Sequence, residues 1–217
     1  MAAAPEYELY CFAQSGNAYR VALMLNLIGA DWKPVWVDFF NGAARTPEFR
    51  AGINEMGEIP VLVHGARRFS QSGVCLTYLA ERTGKFLPAD DDQRLECLRW
   101  ILFDNQKVNG YLGVYRYYLN FAPARDPGAE AFLKGRFTGT LAIVDKHLAV
   151  SPFIAGERPT VADLSLAGYM FYPAEEFGFD VGKDYPAIGA WKERIRGLPG
   201  WAHPYDLMPG YPFGTKG

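Results

Sequence analysis

Tyr7-Glu8-Leu9-Tyr10-Cys11-Phe12-Ala13-Gln14-Ser15-Gly16-Asn17-Ala18-Tyr19-Arg20-Val21 changes its period partway along, and that change decides the fold. Tyr7 to Cys11 alternates and is rich in strand formers. Ala13-Gln14-Ser15-Gly16 is a short polar loop. Beyond it Val21, Met24, Leu25 and Ile28 recur at i, i+3, i+4 and i+7, the spacing of an amphipathic helix. Asn17 is placed to cap that helix and Gly29 to end it.

Outward from this stretch, Val35, Val37 and Phe39 share one face of a second strand, and Ile59-Pro60-Val61-Leu62-Val63 is a short apolar run. His64-Gly65 turns the chain toward Arg68-Phe69, as in a hairpin. Ser72 is placed to cap a helix that carries Val74, Cys75, Tyr78 and Leu79 and ends at Thr83-Gly84. A strand–helix–strand unit implies a parallel pair, and a hairpin an antiparallel edge. A small α/β domain over 5–84 is expected. Leu87-Pro88-Ala89-Asp90-Asp91-Asp92 reads as a linker, after which the period is helical throughout 92–205. Leu95, Leu98 and Leu102 share a face, as do Phe137, Leu141, Val144 and Leu148. Thr160-Val161-Ala162-Asp163 has capping-box spacing, and Ile188, Trp191 and Ile195 mark a last clear helix. The tail from Trp201 is aromatic and rich in Pro and Gly, which suggests irregular coil.

Bulk properties narrow the function. The formal net charge is -2 over 217 residues, which argues against a nucleic-acid surface. No run reaches the roughly 20 apolar residues of a membrane helix, and Met1 to Glu6 lacks the segments of a signal peptide. Cys11, Cys75 and Cys97 are isolated, and His64, His147 and His203 have no ligand spacing. No disulfide framework and no metal site are expected, and the cytoplasm is the expected compartment.

Four features in order resemble the cytosolic glutathione transferases: the Leu9–Val21 segment, Glu58-Ile59-Pro60-Val61-Leu62, Gln71-Ser72 opening a helix, and the Thr160–Asp163 box after Phe153-Ile154-Ala155-Gly156. The resemblance runs from about Tyr7 to about Pro199. It implies a thioredoxin-like N-terminal domain that holds glutathione and an all-α C-terminal domain that faces the second substrate. In that family the proline matching Pro60 is cis, so that Ile59 offers its main chain to the ligand cysteine like an added strand. Gln71 and Ser72 would meet the γ-glutamyl end at a helix N-terminus, and Arg45 the glycine carboxylate. Ser15 falls where the serine-type classes place the hydroxyl that holds the thiolate, with Gly16 and Asn17 beside it. Tyr10 and Cys11 are the other candidate sulfur partners.

The resemblance also leaves the reaction open. Zeta-type isomerases carry Ser-Ser-Cys where this chain has Ser15-Gly16-Asn17, although they share Gln at the position of Gln71. Nu-type proteins, which reduce disulfides, use a hydroxyl and an amide in this loop. The implied activity is a detoxifying transfer of glutathione to small hydrophobic electrophiles by a homodimer. Glutathione-dependent disulfide reduction and a non-catalytic binding or scaffold role stand beside it. Tyr111, Tyr115 and Tyr118 share a helix face that either borders the electrophile or packs between helices.

Overall fold

The computed structural model describes residues 4–211. The chain separates into two compact units, one running up to Lys85 and resuming at Pro199, the other Phe86–Leu198.

The first unit follows the order β1 (Tyr7–Cys11), α1 (Gly16–Leu27), β2 (Trp32–Trp36), α2 (Pro47–Gly52), β3 (Val61–His64), β4 (Arg67–Ser70) and α3 (Ser72–Thr83). The sheet order is β2-β1-β3-β4. β2 runs parallel to β1, while β3 is antiparallel to both β1 and β4. This is the expected thioredoxin-like arrangement. The alternation of β1 buries Tyr7, Leu9 and Cys11 on one face, and Tyr10 on the other meets Phe49 of α2 edge-on. Helix α1 buries Ala18, Tyr19 and every residue from Val21 to Leu25, so it is a core helix rather than one with a narrow apolar stripe. Left-handed glycines stand past both long helices, Gly29 after α1 and Gly84 after α3.

Two expected caps move. Ser15, not Asn17, is the N-cap of α1, and its Oγ accepts from Ala18 N at 3.1 Å. Ser72 is the first helical residue of α3, and Gln71 stands at the cap position with φ 66° and no side-chain capping bond.

The domain limits of 5–84 and 92–205 shift as well. The stretch from Pro199 returns to the first unit, where Tyr19 Oη donates to Ala202 O and Asn26 Nδ2 to Gly200 O. It includes one helical turn, α10 (Pro204–Leu207), where coil was expected. At the other boundary Phe86 already belongs to the second unit, accepting from Val161 N at 3.0 Å.

The second unit is helical: α4 (Asp91–Phe103), α5 (Asn109–Phe121), α6 (Pro127–Leu148), α7 (Val161–Leu166), α8 (Val181–Asp184) and α9 (Pro186–Arg196). A π-helical turn, Asp104–Val108, joins α4 to α5. The Phe137, Leu141, Val144 and Leu148 stripe of α6 is buried as expected. The Leu95, Leu98 and Leu102 stripe of α4 is not, at 55%, 46% and 61% exposed. Cys97, Trp100 and Ile101 are the residues α4 buries instead. Tyr115 is core, packed on Phe137, whereas Tyr118 bonds around Asp126 at the start of α6. Arg116 and Glu176 form a buried ion pair with an Nη2–Oε2 distance of 2.5 Å. The capping box is complete at Thr160 and Asp163.

Candidate functional site

Strand register sets the site. Tyr10 pairs with Val61, and Val61 with Ser70. Cys11, the last residue of β1, lies beside Trp36, the last of β2. The end of β1, the end of β2, the start of β3 and the end of β4 therefore share one edge of the unit. The loops that carry Ser15, Arg45, Ile59 and Gln71 all leave from that edge.

Ser15 is nearly buried at the start of α1. The residue is 6% exposed, and its hydroxyl oxygen already accepts from Ala18 N. A hydroxyl has one proton to give as well as lone pairs to fill, so this capping bond leaves the proton for an outside acceptor. Helix α1 carries no acidic side chain in its first turn, which leaves the partial positive charge of the helix start uncompensated at Ser15 and Gly16. Both features favour an anion at this position. The amide oxygen of Asn17 accepts from Arg20 Nη2, one turn further along the helix, at 2.9 Å; its amide N–H groups are what it has left to offer.

The other two sulfur candidates are differently placed. Burial pushes the Cys11 thiol up to about 12, so it stays protonated at neutral pH. Tyr10 is half-buried against Phe49.

Ile59-Pro60 is a cis peptide, and Pro60 is buried. The β1–β3 register ends at Tyr10 and Val61, so Ile59 stands just past the ladder with its main chain outside it. The loop that delivers it is tied down by Asn54, whose amide donates to Glu58 O at 2.8 Å and accepts from Met56 N.

Gln71 and Ser72 follow directly from β4. Val74 and Cys75 N–H donate to Gln71 O, which leaves Ser72 and Gly73 N–H as first-turn donors the helix does not use. Helix α3, like α1, has no acid in its first turn. The Gln71 side chain reaches sideways, its Nε2 donating to Glu58 Oε2 at 3.0 Å and lying 3.5 Å from Met56 Sδ. Glu58 belongs to the Ile59-Pro60 stretch in sequence, and its bond to Gln71, thirteen residues away, links the two motifs.

Arg45 stands apart. It is exposed on a 3-10 turn, and its described contact is with the Phe39 ring, 6.0 Å from the centroid. Phe39 in turn stacks on Phe12 at 4.9 Å, forming an aromatic wall beside the Ser15 loop. The returning tail was also missed as a site element. Pro209 O accepts from Ala13 N at 2.8 Å and Tyr211 O accepts from Gln14 Nε2 at 2.6 Å, so the tail holds the loop between Phe12 and Ser15 from the side. Its composition gave no positional signal, because both bonds use main-chain carbonyls. Among the described residues no group of His, Cys, Asp and Glu is arranged to hold a metal.

Models of known families match in chain order. The Glutathione S-transferase N-terminal domain covers residues 5–81, and the Glutathione S-transferase C-terminal domain covers 133–199. A maleylacetoacetate isomerase of Rhizobium meliloti is 32% identical over 215 residues, covering 95% of this chain and 100% of that protein. The disulfide-bond oxidoreductase YfcG of Escherichia coli is 29% identical over 199 residues, 88% of this chain and 91% of that one. Among solved structures, a glutathione S-transferase from Pseudomonas fluorescens superposes with a TM-score of 0.84 at 31% identity, covering 92% and 98% of the two chains. With both family models matched in order and a relative of that identity along nearly its whole length, the chain belongs to the glutathione transferase family.

Proposed function

We propose that the chain is an enzyme that binds glutathione and transfers its thiolate to small hydrophobic electrophiles. The observation that carries this is Ser15: a nearly buried hydroxyl, already accepting one bond, with its proton left to donate at an acid-free helix start. A free thiol of pKa near 8.5 is only a few per cent thiolate at pH 7. A hydroxyl donor and an aligned helix start both favour the anion. Main-chain groups of Ile59 would take the cysteinyl backbone, Gln71 and Ser72 the γ-glutamyl end, and Arg45 the glycine carboxylate. Relatives in the family support glutathione-dependent enzyme activity.

A second reading is glutathione-dependent disulfide reduction. It is favoured by Asn17, two residues after Ser15, whose amide oxygen is taken by Arg20 and whose N–H groups remain to donate, and by the likeness to two disulfide-bond oxidoreductases of Escherichia coli. One assay separates the readings. A panel of aryl halides, epoxides, activated alkenes and small disulfides is followed with and without reduced glutathione. Turnover of the electrophiles that depends on glutathione is expected; turnover confined to disulfides favours the second reading. No glutathione-dependent turnover of either set sinks both.

The buried free thiols of Cys11, Cys75 and Cys97 suit a reducing compartment, which makes the cytoplasm the proposed site of action. No helix among the described residues is long and apolar enough to cross a membrane. A two-fold homodimer is proposed because the Leu95, Leu98 and Leu102 face of α4 is apolar and exposed in the single chain. Light scattering on the full chain should give twice its 24.2 kDa mass. A monomer at tens of micromolar would reject the pair.

A further inference from the structure

We propose, resting on the glutathione reading above, that residues 199–211 form a strap that sets where the Ser15 hydroxyl stands, with Gly210 as its positioning residue.

Phe12 to Ser15 make a tight turn, closed by Ser15 N donating to Phe12 O at 3.0 Å. The closing bond does not use the N–H of Ala13. Ala13 is fully buried, so that N–H needs an acceptor within the protein. Pro209 O takes it at 2.8 Å, and Tyr211 O takes the side-chain amide of Gln14 at 2.6 Å. The strap therefore grips both central residues of the turn whose last residue is Ser15. Ser15 also caps α1, so its hydroxyl is held by the turn on one side and by Ala18 N on the other.

Gly210 lies between the two gripping carbonyls at φ 129°, a conformation that residues with a side chain rarely adopt. A Cβ there would stand 2.9 Å from Ala13 Cβ, 3.2 Å from Gln14 Oε1 and 3.3 Å from Ala13 N. An added methyl would press on the same two turn residues that the strap binds. The other end of the strap is anchored separately. Asn26 Nδ2 donates to Gly200 O at 2.6 Å and Tyr19 Oη to Ala202 O at 3.0 Å, so the strap follows α1 from its last turn to its first. Gly200, at φ 90°, makes a matching close approach, where a Cβ would meet Asn26 O at 2.9 Å. One glycine seats the strap at the far end of α1, the other at the Ser15 end. A misplacement of about 1 Å in a reacting geometry is enough to cost about 100-fold in rate. The grip at Gly210 thus bears on turnover more than on folding.

The test pairs Gly210→Ala with Gly200→Ala in the full chain. It reads the pH at which bound glutathione becomes a thiolate, from the thiolate absorbance. Both variants add one methyl at a positive-φ glycine of the strap, but only the first presses on the Ser15 turn. Gly210→Ala should raise the titration by about one pH unit and cut glutathione-dependent turnover about tenfold. Gly200→Ala should lower the melting temperature and leave the titration at the wild-type value. Gln14→Met removes the bond to Tyr211 O without adding bulk to the strap, and should move the titration the same way by a smaller amount. If Gly210→Ala does not fold, Gln14→Met decides. A titration that stays at the wild-type value in the variants at positions 210 and 14, or that shifts equally in Gly200→Ala, overturns the proposal. A wild type in which calorimetry detects no glutathione binding refutes the glutathione reading itself, and the proposal falls with it.

Discussion

Asp163→Ala is expected to lower the stability of the helical unit by about 3–5 kcal/mol, the cost of stranding several buried donors at once. The carboxylate is fully buried and accepts from Ile154 N at 2.8 Å, Thr160 N at 2.9 Å, Thr160 Oγ1 at 3.2 Å and Trp191 Nε1 at 3.0 Å. Burial pushes the Asp163 carboxyl up, and these donors oppose that shift. Removing the side chain leaves three N–H groups in a dry interior without an acceptor, and it disconnects α7 from both the loop before it and α9. A domain with a net stability of about 5–15 kcal/mol feels such a loss strongly. Differential scanning calorimetry should show a melting point lower by about 10 °C. Thr160→Ala removes the capping hydroxyl alone and should cost about 1–2 kcal/mol. Asp163→Asn keeps one acceptor but turns an NH2 toward N–H groups, so it should fall nearer to Asp163→Ala than to the wild type. An Asp163→Ala protein melting within about 3 °C of wild type would show that Asp163 does not hold the unit together.

The elements that sequence reasoning located well are those whose information is local. The limits of β1, the stop at Gly84 and the capping box from Thr160 to Asp163 each depend on residues within one turn of each other. What could not be read from the chain depends on partners far along it. Leu95, Leu98 and Leu102 repeat at helix spacing as cleanly as the α6 stripe does, yet they face outward. A period identifies a face, but not whether anything covers it. Arg116 gives no sign that it pairs with Glu176, and Ser165 none that it donates to Asp104. At the site the same division holds. Ile59-Pro60 and Gln71-Ser72 are legible as short motifs, while the Glu58–Gln71 bond that joins them exists only because β3 and β4 pair as they do. The caps were misassigned by one or two residues for a simpler reason. Ser15 and Asn17 are both good capping types that propensity alone cannot rank, and at α3 a good capping type, Ser72, stands one residue inside the helix because Gln71 holds the cap position at positive φ.

Ser15→Gly should cut turnover by about 10- to 100-fold, the value of a hydrogen bond to a charged group carried into the rate, while leaving the fold nearly as stable as wild type. The pairing with Ser15→Ala separates two roles of one oxygen. As the N-cap of α1 it accepts from Ala18 N, and losing that bond to alanine costs about 0.5–2 kcal/mol, whereas glycine at a cap costs only a few tenths. Ser15 sits at φ −87° and ψ 106°, extended backbone that alanine and glycine adopt equally well. A purely structural Ser15 would therefore show damage in Ser15→Ala and little in Ser15→Gly. If the hydroxyl proton instead goes to the glutathione thiolate, both variants lose turnover alike and only the alanine variant loses stability. The thiolate absorbance of bound glutathione should also titrate at higher pH in both variants, since a donor to the anion is gone. Affinity for glutathione should change little, because the main chain of Ile59 and the Gln71-Ser72 end remain. Cys11→Ala supplies the opposing arm. Its thiol is buried and held up to about 12, so turnover should stay at the wild-type level. Should Cys11→Ala abolish turnover while Ser15→Gly keeps it, the sulfur chemistry runs through a cysteine, and a helix start with a serine at its cap is only a helix start.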